Sequence, residues 1–144
     1  RESNVIEDHI VTDTQGNNPC GFPVLLEVVT NKEIVTTFER KSGVTVLHVT
    51  GALKVRLTNT DTDKSIERNI SGPTRLTVNS DESITQETAG PGLWAFDPGI
   101  ASDLPRMAIT KGRTVSVINS QPTGEFRFIS QRGSIENICA ALAP

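Results

Sequence analysis

The amino-acid sequence predicts an all-β protein: a single antiparallel barrel of about eight to ten strands, with a short C-terminal helix. The alternative allowed by the same pattern is a β-sandwich. Two observations predict this class. First, 42 of the 144 residues are Thr, Val or Ile, whose branched side chains pack well on a pleated surface. Second, strand-like segments recur about every eight to twelve residues, and no long helical pattern interrupts them.

The strand assignments depend on alternating side chains and on turn residues between the segments. In residues 52–58, Leu53, Val55 and Leu57 lie on one face and the residues between them are basic. Turn-forming residues follow each such segment, as at 71–73. The expected strands are residues 5–11 (the weakest), 24–30, 33–40, 44–50, 52–58, 65–70, 74–78, 84–89, 106–111, 113–118 and 126–131.

Only the C-terminal segment has helical spacing. Within residues 134–142, Ile135, Ile138 and Leu142 fall at positions i, i+3 and i+7. Ser134 is placed to cap the first turn, because its hydroxyl can accept a hydrogen bond from a backbone N–H of that turn. We therefore expect one or two helical turns at this end of the chain.

The two cysteines predict a disulfide and an exported protein. Cys20 lies in a turn-rich stretch, where a buried inert thiol would be unusual, and Cys139 lies in the C-terminal segment. The alternative is two unrelated buried thiols. No apolar run reaches the ~20 residues of a transmembrane helix, and the first residues carry no signal-peptide core. The chain is therefore either cytosolic or a mature exported form, and the cysteine pair favours export.

Several short motifs resemble those of small exported β-rich proteins of actinobacteria, a group without a characterised function. They are Cys-Gly-Phe-Pro-Val at residues 20–24, Leu-Thr-Asn at 57–59, the polar turn at 79–83 and Ile-Cys-Ala at 138–140. The resemblance covers most of residues 20–142. It implies export and the disulfide, and it transfers no catalytic residue to this chain.

Candidate ligand-binding residues are His48, Trp94 and Phe96. Trp94 and Phe96 lie in the long Gly- and Pro-rich segment 90–105, and long loops of compact β domains often carry binding function. His48 lies on an expected strand with Val44 and Val46 on the same face. For each of these residues the structural alternative is an ordinary core or surface position.

The predicted function is a secreted, non-catalytic binding module for a small apolar ligand or a surface partner. One alternative is a barrel-type cyclase or isomerase that acts mainly by positioning its substrate. The other is a structural or assembly protein. A closed barrel with an internal cavity of at least ~300 Å³, lined by His48 or Trp94, would support ligand binding or catalysis, and a polar cluster around His48 would favour catalysis. A filled interior would favour surface recognition or assembly.

Composition and motifs exclude several other functions. A net charge of −3 does not suit a nucleic-acid binder, and no transmembrane segment is expected. We expect no cofactor: residues 90–95 match the G-x-G-x-x-A pattern of dinucleotide-binding loops, but Pro91 lies within the pattern and no helix can follow it. We expect no metal site, because the spacing of the His and Cys residues does not provide three or four ligands. The catalytic residues and the oligomeric state stay unassigned. We expect residues 1–144 to form one β domain, with 1–19 partly extended or mobile.

Overall fold

The fold is described by a computed structural model that covers residues 2–3, 7–13, 15–40, 42–98, 103–118 and 126–144. Within these residues the chain forms fourteen strands and one helix. In chain order they are β1 (Glu2–Ser3), β2 (His9–Ile10), β3 (Val24–Asn31), β4 (Ile34–Glu39), β5 (Thr45–Thr50), β6 (Leu53–Asn59), β7 (Lys64–Asn69), β8 (Thr74–Val78), β9 (Ile84–Thr88), β10 (Gly92–Ala95), β11 (Met107–Thr110), β12 (Thr114–Ile118), β13 (Phe126–Gln131), β14 (Ile135–Asn137) and α1 (Ile138–Leu142).

The strands form three antiparallel sheets. A seven-stranded sheet has the order β1-β4-β5-β8-β9-β12-β13, a four-stranded sheet has the order β2-β3-β6-β7, and a three-stranded sheet has the order β10-β11-β14. The antiparallel all-β class and the short C-terminal helix are thereby confirmed. The pairings among the described residues do not close a barrel, so the choice between a barrel and a sandwich stays a prediction.

Most expected strands are present, and the two chief departures flank β11. Residues 92–95 were expected to be loop, but they form β10, which pairs with β11 from Gly92 opposite Thr110 to Ala95 opposite Met107. The prolines at 91 and 98 lie outside this strand, so they remove none of its hydrogen bonds. Of the expected strand at 5–11, the structure describes β2, whereas residues 4–6 lie outside the described residues.

The other departure shortens the predicted helix. Residues Ile135–Asn137 form β14 and pair with β11, so the helix begins at Ile138 rather than near Ser134. Asn137 is its N-cap, because its side-chain oxygen accepts a hydrogen bond from the backbone N–H of Ala140 at 3.0 Å. Because residues 135–137 pair with the buried central strand β11, they form a strand despite their helical spacing.

The hydrophobic core lies between the four-stranded sheet, the three-stranded sheet and α1. All four residues of β11 are buried, since this strand is central in its sheet. Asn59 is also fully buried, and its side-chain amide donates to the backbone carbonyl of Leu142 at 3.0 Å, which fixes the end of α1. The buried hydrophobic residues of this core are Val11, Val24, Leu26, Val55, Leu57, Met107, Ile109, Ile138 and Leu142.

A disulfide joins Cys20 to Cys139, as predicted, with their Cα atoms 5.1 Å apart. Both cysteines are partly buried and pack against the core. The bond ties the loop before β3 to helix α1 across a sequence separation of 119 residues. Among the described residues, no helix has the length and apolar character needed to cross a membrane.

An ion pair connects the four-stranded and three-stranded sheets. Arg68 on β7 donates from Nε and from Nη2 to the two carboxylate oxygens of Glu136 on β14, both at 2.8 Å. This forked contact lowers the pKa of Glu136, chiefly through the hydrogen bonds from Arg68, against an opposing effect of burial.

The contribution of this ion pair to the free energy of unfolding should depend on pH. The pKa of Glu136 is lower in the folded protein than in the unfolded chain, where it is about 4.3. The ion pair therefore stabilises the fold at pH values above the unfolded pKa, and this stabilisation is lost as the pH falls through the folded pKa. We expect Glu136→Gln to cost about 1 kcal/mol or less near neutral pH, since the pair is partly exposed, and to cost less in acid. Urea denaturation of both proteins from about pH 3 to pH 7 measures this difference. A difference that is constant with pH would contradict the assignment.

Candidate functional site

Two clefts lie against strands β8 and β9, in the middle of the seven-stranded sheet. Thr74 and Thr88, which face each other across these strands, line both clefts. The first cleft, of about 290 Å³, contains His48, and we call it the His48 cleft. The second, of about 270 Å³, contains Trp94, and we call it the Trp94 cleft. Side chains alternate between the faces of a strand, so neighbouring residues of β5 reach different clefts: His48 the first and Val49 the second.

The Trp94 cleft lies where the seven-stranded sheet meets the other two sheets. Six of its twelve lining residues are apolar, four are polar or charged and two are glycine. The apolar lining residues are Val49, Leu53, Ile70, Leu76, Leu93 and Trp94, and the others are Glu33, Gly72, Thr74, Gln86, Thr88 and Gly92. A concave, largely apolar surface with a small number of polar groups is the usual form of a small-molecule site, and the volume of this cleft lies just below the usual range of about 300–1,000 Å³.

Hydrogen bonding and stacking hold Trp94 in place. Its indole Nε1 donates to the hydroxyl of Thr110 at 2.8 Å, and that hydroxyl also accepts a hydrogen bond from Thr114 at 3.2 Å. The ring of Phe96 stacks nearly parallel to the indole, with their centroids 6.0 Å apart. Phe96 and Thr110 are buried, so the side of Trp94 away from the cleft is fixed by packing.

A second set of contacts holds the strand that carries Trp94. Arg106 donates from Nε to the backbone carbonyl of Phe96 at 2.7 Å and from Nη2 to a carboxylate oxygen of Asp13 at 3.2 Å. The pKa of Asp13 is lowered, first by the hydrogen bond from the backbone N–H of Asn17 and, to a smaller extent, by Arg106. The polar loop around Asp13 is thereby connected to the end of β10.

The His48 cleft has a charged wall formed by cross-strand neighbours. His48 on β5 is opposite Arg75 on β8, which is in turn opposite Glu87 on β9. Arg75 donates from Nε to Glu87 Oε2 at 2.7 Å, with a second contact from its Nη2, and Arg113 donates from Nη2 to Glu87 Oε1 at 2.8 Å. The His48 ring packs edge-on against Phe38, with centroids 5.2 Å apart.

The polar cluster around His48 is the feature that the sequence analysis associated with catalysis, but its carboxylate, Glu87, is suited to orienting cations rather than to transferring protons. The hydrogen bonds from Arg75, and then those from Arg113, hold the pKa of Glu87 below its usual range. Both carboxylate oxygens already accept hydrogen bonds, so Glu87 is an ionised anchor at neutral pH and not a proton donor. Among the described residues, no three His, Cys, Asp or Glu side chains are grouped closely enough to hold a metal ion.

The structure thus places the predicted ligand residues in different surroundings. His48 and Trp94 line separate clefts, and Phe96 lines neither, because it is buried against Trp94. Sequence reasoning missed Arg75 and Glu87. Their pairing could have been found by folding the expected strands 74–78 and 84–89 onto each other about the turn between them, since this register places the two residues opposite each other.

Comparisons of this chain with protein-family models, with curated proteins and with solved structures find no match. The sheets, the disulfide and the two clefts define the chain as a cross-linked antiparallel β protein with concave sites on its largest sheet.

Proposed function

We propose that this protein is a secreted, non-catalytic binding module that holds a small apolar molecule in the Trp94 cleft. The observation that carries the proposal is the wall of this cleft, which has six apolar side chains, among them the firmly held indole of Trp94. Apolar surface removed from water contributes about 25 cal/mol per Å², so even a small ligand gains appreciable binding energy there. The proposal does not depend on whether the sheets close into a barrel.

The fixed position of Trp94 favours binding because little conformational entropy is lost when a ligand arrives. The hydrogen bond to Thr110 and the stacking on Phe96 already restrict the indole in the free protein. Glu33 and Gln86 supply polar atoms at the same cleft. We therefore expect the ligand to be largely apolar, with at most one or two polar groups.

Export is part of the same proposal. A disulfide persists in oxidising compartments and is rare in the reducing cytosol, so the Cys20–Cys139 bond supports an extracellular location. A carrier outside the cell also has reason to shelter an apolar molecule from water.

The neutral fluorescent probe N-phenyl-1-naphthylamine tests the binding site directly. Trp94 is the sole tryptophan of the chain and tyrosine is absent, so protein emission reports on this cleft alone. We expect saturable probe binding with energy transfer from Trp94. Val49→Phe places a larger side chain in the cleft and should weaken binding by about fivefold or more, which is about 1 kcal/mol.

Val29→Phe is the matched control. Val29 lies on β3 in the four-stranded sheet, is exposed and lines neither cleft, so it carries the same substitution away from the proposed site. Its affinity should remain within about twofold of the unmodified protein. Equal weakening by both substitutions, or no saturable binding at all, would contradict the proposal. The second result would favour a surface partner.

A further inference from the structure

We propose that the His48 cleft is a second binding site, which takes a small organic anion with a phosphate or carboxylate head group and an apolar body. The inference goes beyond the apolar ligand of the Trp94 cleft, because it concerns different side chains and a different ligand chemistry. It depends on three observations: the arrangement of charges, the apolar surface beside them and the volume of the cleft.

The charges leave guanidinium groups available to a ligand. Arg75 and Arg113 share the single carboxylate of Glu87, so the three residues carry one net positive charge. The side chain of Glu87 is 20% exposed, whereas those of Arg75 and Arg113 are 54% and 63% exposed. Each guanidinium has five N–H donors, and Glu87 engages a minority of them. Glu87 therefore lies behind the two cations and orients them, while their remaining donors are open to solvent.

Orientation by Glu87 lowers the entropic cost of binding an anion. A free surface arginine must lose rotamer freedom when it binds, but these two are already held by hydrogen bonds at 2.7 and 2.8 Å. Guanidinium groups bind phosphate and carboxylate oxygens through paired N–H donors. The head group of the ligand is expected to lie between Arg75 and Arg113.

The cleft also offers an apolar surface to the rest of the ligand. Pro73 and Ala89 line it, and both are exposed. The imidazole of His48, held edge-on by Phe38, forms a further wall. A volume of about 290 Å³ accommodates a ring or a short chain beside the head group. These features favour an organic anion over a bare inorganic ion.

A second group of two basic side chains that share one carboxylate provides a control for the effect of charge. On the four-stranded sheet, Lys54 and Arg56 share the carboxylate of Glu67, at 3.5 and 3.0 Å. The formal charges are the same, but these three residues line neither cleft. Arg56→Gln therefore removes the same charge as Arg113→Gln without altering the proposed site.

Titration with phenyl phosphate at low ionic strength, followed by calorimetry, tests the proposal. We expect saturable binding with a Kd of about 1 mM, and this binding should weaken as salt is added. Arg113→Gln and Arg75→Gln should each weaken it by about fivefold or more, whereas Arg56→Gln should leave it within about twofold. Circular dichroism checks that the variants are folded. Inorganic phosphate and benzoate, titrated in parallel, show which part of the ligand is recognised.

Tighter binding of phenyl phosphate than of inorganic phosphate supports an organic anion, and benzoate binding that also depends on Arg113 supports recognition of a carboxylate head group. Equal loss of affinity in Arg56→Gln and Arg113→Gln would overturn the site, because it would show attraction to surface charge in general. Equal affinity for phenyl phosphate and inorganic phosphate would overturn the ligand class, as would the absence of saturable binding. Each result is independent of the Val49 and Val29 variants.

Discussion

Replacing Cys20 and Cys139 together with alanine should lower the free energy of unfolding by about 4–5 kcal/mol. The bond closes a loop spanning a sequence separation of 119 residues, and in the chain-entropy model a loop of this length strongly restricts the unfolded chain. Because both cysteines pack against the core, alanine fills part of their space and leaves no unpaired polar group behind.

Urea denaturation of the oxidised protein and of the double variant measures this loss. The unmodified protein with its disulfide reduced is the control, since it breaks the bond without removing the sulfur atoms. Reduction and substitution should give similar midpoints. A loss of less than about 1 kcal/mol in both would show that the bond adds little constraint to the unfolded chain.

Leu57→Ala should have the largest effect among single substitutions in the core, a loss of about 3–5 kcal/mol. Leu57 is fully buried on β6, where it lies opposite Leu26 and packs with residues of β11 and α1. Truncation removes apolar contacts and leaves a cavity that rigid neighbouring strands fill poorly. For a domain of this size the loss is a large share of total stability.

Leu25→Ala is the matched control for this substitution. Leu25 lies on β3, next to Leu26 in sequence, but on the opposite face of the strand, and it is only half-buried. Thermal and urea unfolding should show a markedly smaller loss for Leu25→Ala than for Leu57→Ala. Similar losses of unfolding free energy for the two variants would contradict the assignment of Leu57, and not Leu25, to the hydrophobic core.

The strand pattern could be predicted from sequence because it is set by local chemistry. Alternation in residues 53–59 and the polar turn before Ile84 define strands and a hairpin without reference to the rest of the chain. The disulfide could also be predicted, because the chain offers only one intramolecular pairing of its cysteines.

The clefts could not be predicted, because they depend on how the sheets meet. Trp94 and Val49 are distant in sequence, and they share a wall only because β10 belongs to one sheet and β5 to another. The short strands β10 and β14 were missed for the same reason: they are paired by the buried strand β11, and their own sequences carry weak strand signals.

Strand β7 is the outer strand of the four-stranded sheet, and its exposed backbone could in principle template the addition of a strand from another molecule. Charged side chains oppose this. Lys64 donates to the backbone carbonyl of Ala143 at 3.2 Å, and Arg68 is held by Glu136. An incoming strand would have to displace these cations and strip them of water, so the addition of a strand at this edge is disfavoured.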